Sequence, residues 1–158
     1  INLVKNCKFA LKWFEKNAKN FLSLLVETPS SSLKNINNQD WKSCIDKINN
    51  IENIQVGYYL PTAKLNNCSK ELAKIKKKQD LECEKFFSNI FMFLEQTEIE
   101  SITFDYSGYK AIKNHENFKN YKWHIWHVDS LKAFNNIMLN NNIGIVLLKN
   151  NKFTNNLN

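Results

Sequence analysis

The last quarter of the chain, residues 121–149, constrains the fold more than any other segment. Its first part, 122–128, is rich in aromatic and β-branched residues, which favour a strand. Apolar residues then recur at helical spacing after Asp129 and Ser130, and either of these side chains can cap a helix. The continuous apolar run 143–148 is typical of a strand buried on both faces of a parallel sheet. The order strand, helix, strand predicts a βαβ unit.

The same alternation extends back through the chain and predicts an α/β fold of βα repeats with mainly parallel strands. The predicted strands are 21–26, 54–60, 99–106, 122–128 and 143–148, and the predicted helices are 3–18, 33–50, 69–96 (with a break near Gln79), 109–118 and 131–138. We expect a single domain over 1–150 and a polar tail over 151–158. Two architectures fit: the back half of a (β/α)8 TIM-type barrel, which in full needs about 250 residues, and a small doubly wound, flavodoxin-like sheet.

The charge of the chain argues against specific nucleic-acid recognition. The net charge is +7, but all 22 basic residues are lysines, and arginine is the residue that binds guanine and phosphate with two parallel hydrogen bonds. We interpret the lysines mainly as a solvated surface. The segment 69–96 is lysine-rich in its first half and apolar in its second, which predicts a core helix or, alternatively, a basic membrane-surface element. No apolar run approaches the roughly 20 residues of a membrane span, so no transmembrane segment is predicted.

The four cysteines, Cys7, Cys44, Cys68 and Cys83, are too far apart for a CxxC metal or redox motif. Cys44 and Cys83 fall within predicted helices, which indicates buried or half-buried thiols. We therefore predict no disulfide framework. The sequence leaves the compartment open, with the cytoplasm slightly favoured.

Several polar side chains stand at predicted strand ends: Glu27, Asp105, His127 and Asp129. The carboxyl ends of parallel strands converge on one face of an α/β fold, so these groups are expected to lie close together. There they could bind a divalent metal or perform acid–base chemistry. The alternative is structural, with Glu27 and Asp129 capping helices and Asp105 pairing with a lysine.

Two pairs of ring side chains share the fourth predicted strand. Trp123 and Trp126 are three residues apart, as are His124 and His127, and that spacing places the members of each pair on opposite faces. The two histidines therefore cannot jointly bind one metal. In a barrel, one of the two tryptophans would face the lumen, where an aromatic surface suits a ligand the size of glycerol or a sugar. The alternative for both tryptophans is core packing.

A family resemblance rests on short motifs in the same region. The segment Trp-His-Val-Asp at 126–129, a following helix and Asn-Ile-Gly-Ile at 142–145 resemble the end of glycerophosphodiester phosphodiesterase and phosphatidylinositol phospholipase C-like barrels. In that family the seventh strand commonly carries a Trp-Thr-Val-Asn-type segment and the eighth a Gly-Val-Asp-Gly-Ile-type segment. The run Phe-Leu-Ser-Leu-Leu-Val-Glu at 21–27 is similar to the family strand that carries a metal-binding glutamate.

The resemblance implies that residues 20–150 form the fourth to eighth strands of a (β/α)8 barrel. The complete protein would then hydrolyse a glycerol phosphodiester or another phospholipid-derived small molecule with a divalent metal, Ca²⁺ or Mg²⁺. Glu27 would be a metal ligand, and Trp126, His127 and Asp105 would bind substrate.

The chain also departs from the family pattern. The family's catalytic His-Arg dipeptide requires an arginine, which this chain lacks, and its Glu-x-Asp metal pair has no counterpart. Pro29 stands where a lysine usually follows the metal glutamate. We therefore expect the C-terminal part of a longer enzyme, or a degenerate homologue, that has no catalytic residue and is inactive alone. The alternative is a non-catalytic α/β interaction module with a lysine-rich face for an acidic partner.

Overall fold

A computed structural model describes residues 3–35, 37–72 and 77–149 and shows an α/β protein built on one sheet. The strands are β1 (Leu24–Thr28), β2 (Ile54–Tyr59), β3 (Ser101–Asp105), β4 (Lys122–Val128) and β5 (Ile143–Leu148). The helices are α1 (Leu3–Asn17), α2 (Gln39–Asn49), α3 (Thr62–Leu72), α4 (Lys77–Thr97), α5 (Tyr109–Lys113) and α6 (Leu131–Ile137). Short 3-10 helices span Ala18–Asn20, Ser30–Asn35, Tyr106–Gly108 and Glu116–Asn120.

The five strands are all parallel and lie in sequence order, β1-β2-β3-β4-β5. The sheet is curled into a half-barrel with helices between the strands, which confirms the predicted βα repeat. The flavodoxin-like alternative is wrong, because a doubly wound sheet requires a reversal of strand order and this sheet has none.

The helices pack against the convex face of the sheet and form the core there. Trp41 of α2, Phe93 of α4 and Tyr58 of β2 lie in one aromatic cluster, with ring centroids 5.4 Å apart for Trp41–Phe93 and 4.7 Å apart for Tyr58–Phe93. Phe104 and Trp123 extend the same layer across β3 and β4. All five rings are fully buried, and truncating one of them to alanine typically costs about 3–5 kcal/mol.

The second half of the segment 69–96 is a core element. In α4, Phe86, Phe87 and Phe93 are buried in the same core, so the membrane-surface hypothesis for this helix is wrong. The lysine-rich face cannot be placed, since residues 73–76 and the side chains of Lys77 and Lys78 lie outside the described residues. The predicted polar tail 151–158 also lies outside them.

The prediction of unpaired cysteines is wrong. Cys7 of α1 is disulfide-bonded to Cys44 of α2, with the two Cα atoms 5.8 Å apart. Cys68 of α3 is disulfide-bonded to Cys83 of α4, with a Cα separation of 5.3 Å. Each bridge joins consecutive helices on the outside of the sheet, where sequence spacing alone gave no CxxC-type signal.

Strand β1 begins and ends later than predicted. It starts at Leu24, whose amide donates to the carbonyl of Asn53, and it runs to Thr28. Phe21 instead closes the 3-10 turn that follows α1. The shift matters for function, because Glu27 lies within the strand and its side chain is fixed on one face of the sheet.

Candidate functional site

The concave face of the half-barrel carries polar side chains from several strands. Gly57 of β2 lies at its centre, where an added Cβ atom would be 3.1 Å from Leu25 Cδ1, 3.1 Å from Thr103 Oγ1 and 3.4 Å from Ser101 Oγ. Because alternate residues of a strand face opposite ways, these contacts assign Leu25, Ser101 and Thr103 to the concave face. We call the space in front of this face the lumen.

A hydrogen bond crosses the lumen from β4 to β1. Trp126 Nε1 donates to Glu27 Oε1 over 2.9 Å. Glu27 is aligned with Gly57 in the sheet register, and the alignment continues through Ser101 to Lys122, four residues before Trp126. An eight-stranded barrel with shear 8 advances by about one residue per strand, or about three residues over three strands, so the observed offset of four residues is close to the offset that barrel-like tilt produces. The contact therefore depends on the curl of the sheet.

A cavity of about 330 Å³ occupies the lumen beside this bond. It is lined by Leu25, Glu27, His124, Ile125, Trp126, Ile145 and Leu147. His124 is 1% exposed, and within the described residues neither of its ring nitrogens has a hydrogen-bond partner. Burial, with a contribution from the nearby Lys122 ammonium, lowers the pKa of His124 to about 4. The imidazole is therefore neutral at pH 7, with one donor and one acceptor nitrogen.

Asp105 and His127 form a second polar unit at the carboxyl ends of β3 and β4. His127 Nδ1 lies 2.7 Å from Asp105 Oδ2, while Asp105 Oδ1 accepts from the Ser107 amide at 2.9 Å and from its hydroxyl at 2.7 Å. Burial on its own raises the pKa of Asp105, but the hydrogen bonds from Ser107 and His127 outweigh it and place the pKa below its ordinary value. The carboxylate is thus ionised and held in one orientation.

His127 reaches Asp105 because the strand is distorted at this point. Its φ of 57° lies in the left-handed region, which non-glycine residues adopt at a cost of order 1–3 kcal/mol. The pairing of β4 with β5 is irregular between Ile125 and Val128. The distortion turns the His127 ring out to the rim of the lumen and returns Val128 to the core.

A second cavity, of about 420 Å³, lies at this rim and is lined by Asp105, Tyr106, Ser107, His127, Asp129 and Lys149. Tyr59 of β2 connects the rim with the lumen. Burial raises the pKa of Tyr59, and the negative charges of Asp105 and Glu27 raise it further. The phenol therefore lies within electrostatic reach of both carboxylates.

The structure separates the four residues proposed from the sequence into two adjacent pairs. Glu27 and Trp126 meet in the lumen, and Asp105 and His127 meet at the rim. The structural alternatives differ from what is observed. Among the described residues, Glu27 Oε1 accepts from Trp126 rather than from a helix amide, Asp105 pairs with His127 rather than a lysine, and Ser130, not Asp129, caps α6.

Other residues of the site were not proposed from the sequence. Tyr59 lies two residues after Gly57 on β2, and Thr103 lies two residues after Ser101 on β3. Residues two apart on a strand face the same side of the sheet. This alternation is the sequence signal that could have identified Tyr59 and Thr103. From the sequence, strand alternation indicates only that His124 cannot share a metal with His127.

The metal prediction rests on Glu27 alone. Within the described residues, no group of three or more His, Cys, Asp or Glu side chains could hold a metal ion, and one Glu27 oxygen is already bonded to Trp126. Glu27 could contribute one ligand, and the described residues do not supply the rest of a site.

Comparisons with protein-family models, with curated proteins and with solved structures find no match for this chain. Among the described helices, none is long and apolar enough to cross a membrane.

Proposed function

We propose that this chain forms the substrate-binding half of a (β/α)8-barrel phosphodiesterase that resembles the glycerophosphodiester phosphodiesterases. The complete protein would hydrolyse a glycerol phosphodiester. The observation that carries the proposal is the Glu27–Trp126 hydrogen bond across the lumen, because it combines the two residues that the family resemblance assigns to the metal and the lumen wall. Ligands of parallel α/β barrels bind at this carboxyl-terminal side.

The open edges of the sheet support the fragment interpretation. β1 and β5 each pair with one neighbouring strand among the described residues, and Leu147 and Leu148 on β5 are 39% and 43% exposed. An unpaired apolar edge is a surface that proteins normally cover, and three further strands would close an eight-stranded barrel.

The rim offers groups suited to the phosphodiester end of such a substrate. The Lys149 ammonium is the cation of the rim cavity, and the His127 ring beside it can donate a hydrogen bond. A divalent metal, when bound, would polarise the phosphoryl oxygens, with Glu27 as one ligand. The sequence contains no His-Arg dipeptide and no Glu-x-Asp pair, so this chain alone is expected to bind substrate without turning it over.

Binding and turnover are tested separately. The intact chain is mixed with glycerophosphocholine and either Ca²⁺ or Mg²⁺, and both affinity and choline release are measured. We expect saturable binding that is weakened in Trp126→Phe and in Glu27→Gln, with no turnover. Trp13→Phe, which alters an exposed ring of α1, is the matched control. Absence of binding would overturn the proposal, and turnover that is lost in Glu27→Gln would overturn the claim that the catalytic half is missing.

A further inference from the structure

Helix α3 carries a sequence motif for N-glycosylation. The motif is Asn-x-Ser or Asn-x-Thr, with any residue except proline at x, and the asparagine amide is the group that accepts the glycan. Although asparagine is abundant in this chain, the motif occurs once in the sequence, as Asn67-Cys68-Ser69. All three residues lie within α3, Thr62–Leu72. The chain therefore has one candidate acceptor, which one substitution removes.

The structure leaves room for a glycan on Asn67. Asn67 is exposed, and so are Ala63 and Lys64, which lie one turn earlier on the same face of α3. Leu65 and Cys68, by contrast, are 0% and 3% exposed and belong to the core. A glycan is bulky and hydrophilic and requires a surface position. On Asn67 it would extend into solvent without displacing a core side chain.

The neighbouring Asn66 provides a comparison within the same helix. Its side chain is half-buried, and its Nδ2 donates to the Ser107 carbonyl at 3.1 Å, which ties α3 to the 3-10 helix after β3. The residue two positions after Asn66 is Cys68, so Asn66 does not belong to a glycosylation motif. The two adjacent amides therefore differ both in sequence context and in their role in the fold.

The disulfides agree with the environment in which this modification takes place. Cys68, the middle residue of the motif, is bonded to Cys83, and Cys7 is bonded to Cys44. Disulfides of this kind form in secreted proteins and in the endoplasmic reticulum, and the glycosylation motif is used in secreted proteins. Because Cys68 faces the core while Asn67 faces solvent, the folded helix accommodates both modifications on adjacent residues.

We propose that Asn67 is N-glycosylated in the secretory pathway, with a lipid-linked diphosphate oligosaccharide as the donor. Asn67 Nδ2 forms a bond to C1 of the first sugar and loses a proton. The bond from C1 to the diphosphate oxygen breaks, and the lipid diphosphate leaves with that electron pair. Cys83 follows Cys68 by 15 residues, so during synthesis the motif emerges before the bridge can close. The acceptor is thus presented on an unfolded chain.

The test directs the full chain into the secretory pathway of cultured mammalian cells with a cleavable signal peptide. Its gel mobility is compared before and after treatment with peptide N-glycosidase. We expect one slower band, which the enzyme converts to the mobility of the unmodified chain. Asn67→Gln and Ser69→Ala should each abolish the shift, whereas the matched controls Asn66→Gln and Ser69→Thr should keep it. Whole-cell lysates are analysed, so variants that fail to fold are still measured.

Mass spectrometry locates the modified residue, because peptide N-glycosidase leaves an aspartate where the glycan was attached. The proposal is overturned by a wild-type chain whose mobility the enzyme does not change, or by a shift that persists in Asn67→Gln. Neither result bears on glycerophosphocholine binding, which is measured on the unglycosylated chain, so this proposal and the phosphodiesterase proposal can fail independently.

Discussion

Removing the two disulfides is expected to remove a large part of the stability of this fold. The bridges close loops with sequence separations of 37 residues for Cys7–Cys44 and 15 residues for Cys68–Cys83. In the chain-entropy treatment, loops of these lengths correspond to about 4 and about 3 kcal/mol of stabilisation. Since domains typically unfold with a free energy of about 5–15 kcal/mol, losing both bridges would bring the half-barrel close to unfolding.

Paired variants measure each bridge separately. Cys68→Ala/Cys83→Ala should lower the free energy of unfolding by about 3 kcal/mol and the midpoint of thermal unfolding by about 6–12 °C. Cys7→Ala/Cys44→Ala should lower the free energy of unfolding slightly more, because its loop is longer. Urea titration and scanning calorimetry give both quantities.

The control is a reductant, which should destabilise the wild type and leave a variant lacking all four cysteines unchanged. Thiol titration of the unfolded, unreduced wild type should find no reactive thiol from these four residues. Four titratable thiols, or a Cys68→Ala/Cys83→Ala variant as stable as wild type, would refute the reasoning.

Three further predictions concern the lumen. Gly144→Ala should lower the free energy of unfolding by about 1–3 kcal/mol, because its Cβ atom would displace the buried His124 ring. Gly57→Ala should lower the free energy of unfolding less, because the nearest contacts of its added Cβ atom are 3.1 Å. Urea titration of both variants compares the two losses. The pKa of His124 in the folded protein, about 4, lies below its ordinary value of 6.5. The free energy of unfolding should therefore fall as the pH drops from about 6.5 to about 4 and level off below that. His124→Phe should remove this component from the pH profile of unfolding. Trp126→Phe, which keeps a ring but deletes the bond to Glu27, should cost about 1–2 kcal/mol, and a stability equal to wild type would show that the contact across the lumen contributes nothing.

The strands could be predicted because each follows from local chemistry. The continuous apolar run at 143–148 and the aromatic, β-branched run at 122–128 both became strands. The predicted burial of 143–148 on both faces is wrong, because β5 is an edge strand among the described residues and is partly exposed. Ser130, one of the two candidate caps, caps the helix between the two strands. Regular alternation of strand and helix then indicates parallel pairing, since parallel neighbours require a crossover connection.

The site could be predicted only in part, because it depends on distances between strands. That Glu27 and Asp105 would lie near strand ends followed from sequence, but the Glu27–Trp126 bond joins residues 99 positions apart and requires a particular curl. The left-handed backbone of His127 could not be predicted from the sequence, because a positive φ is uncommon for any non-glycine residue. Without that distortion, alternation would direct the His127 ring to the core face and away from Asp105.

The disulfides were missed for a related reason and change the expected environment of the protein. Each joins cysteines on different helices, so their proximity arises only when the helices pack against the sheet. Disulfides of this structural kind persist in oxidising compartments and are rare in the cytosol. The pairing of Cys7 with Cys44 and of Cys68 with Cys83 would therefore suit an oxidising compartment.

The two cavities at the carboxyl-terminal side differ in the polar groups that line them. The lumen cavity is lined by the neutral His124 imidazole, the Glu27 carboxylate and the Trp126 ring, whereas the rim cavity is lined by Lys149, the ionised Asp105 and its His127 partner. Tyr59 lies within the electrostatic influence of both carboxylates, so the two parts are adjacent. The phosphodiester proposal therefore places the charged end of a substrate at the rim, where Lys149 and His127 line the cavity.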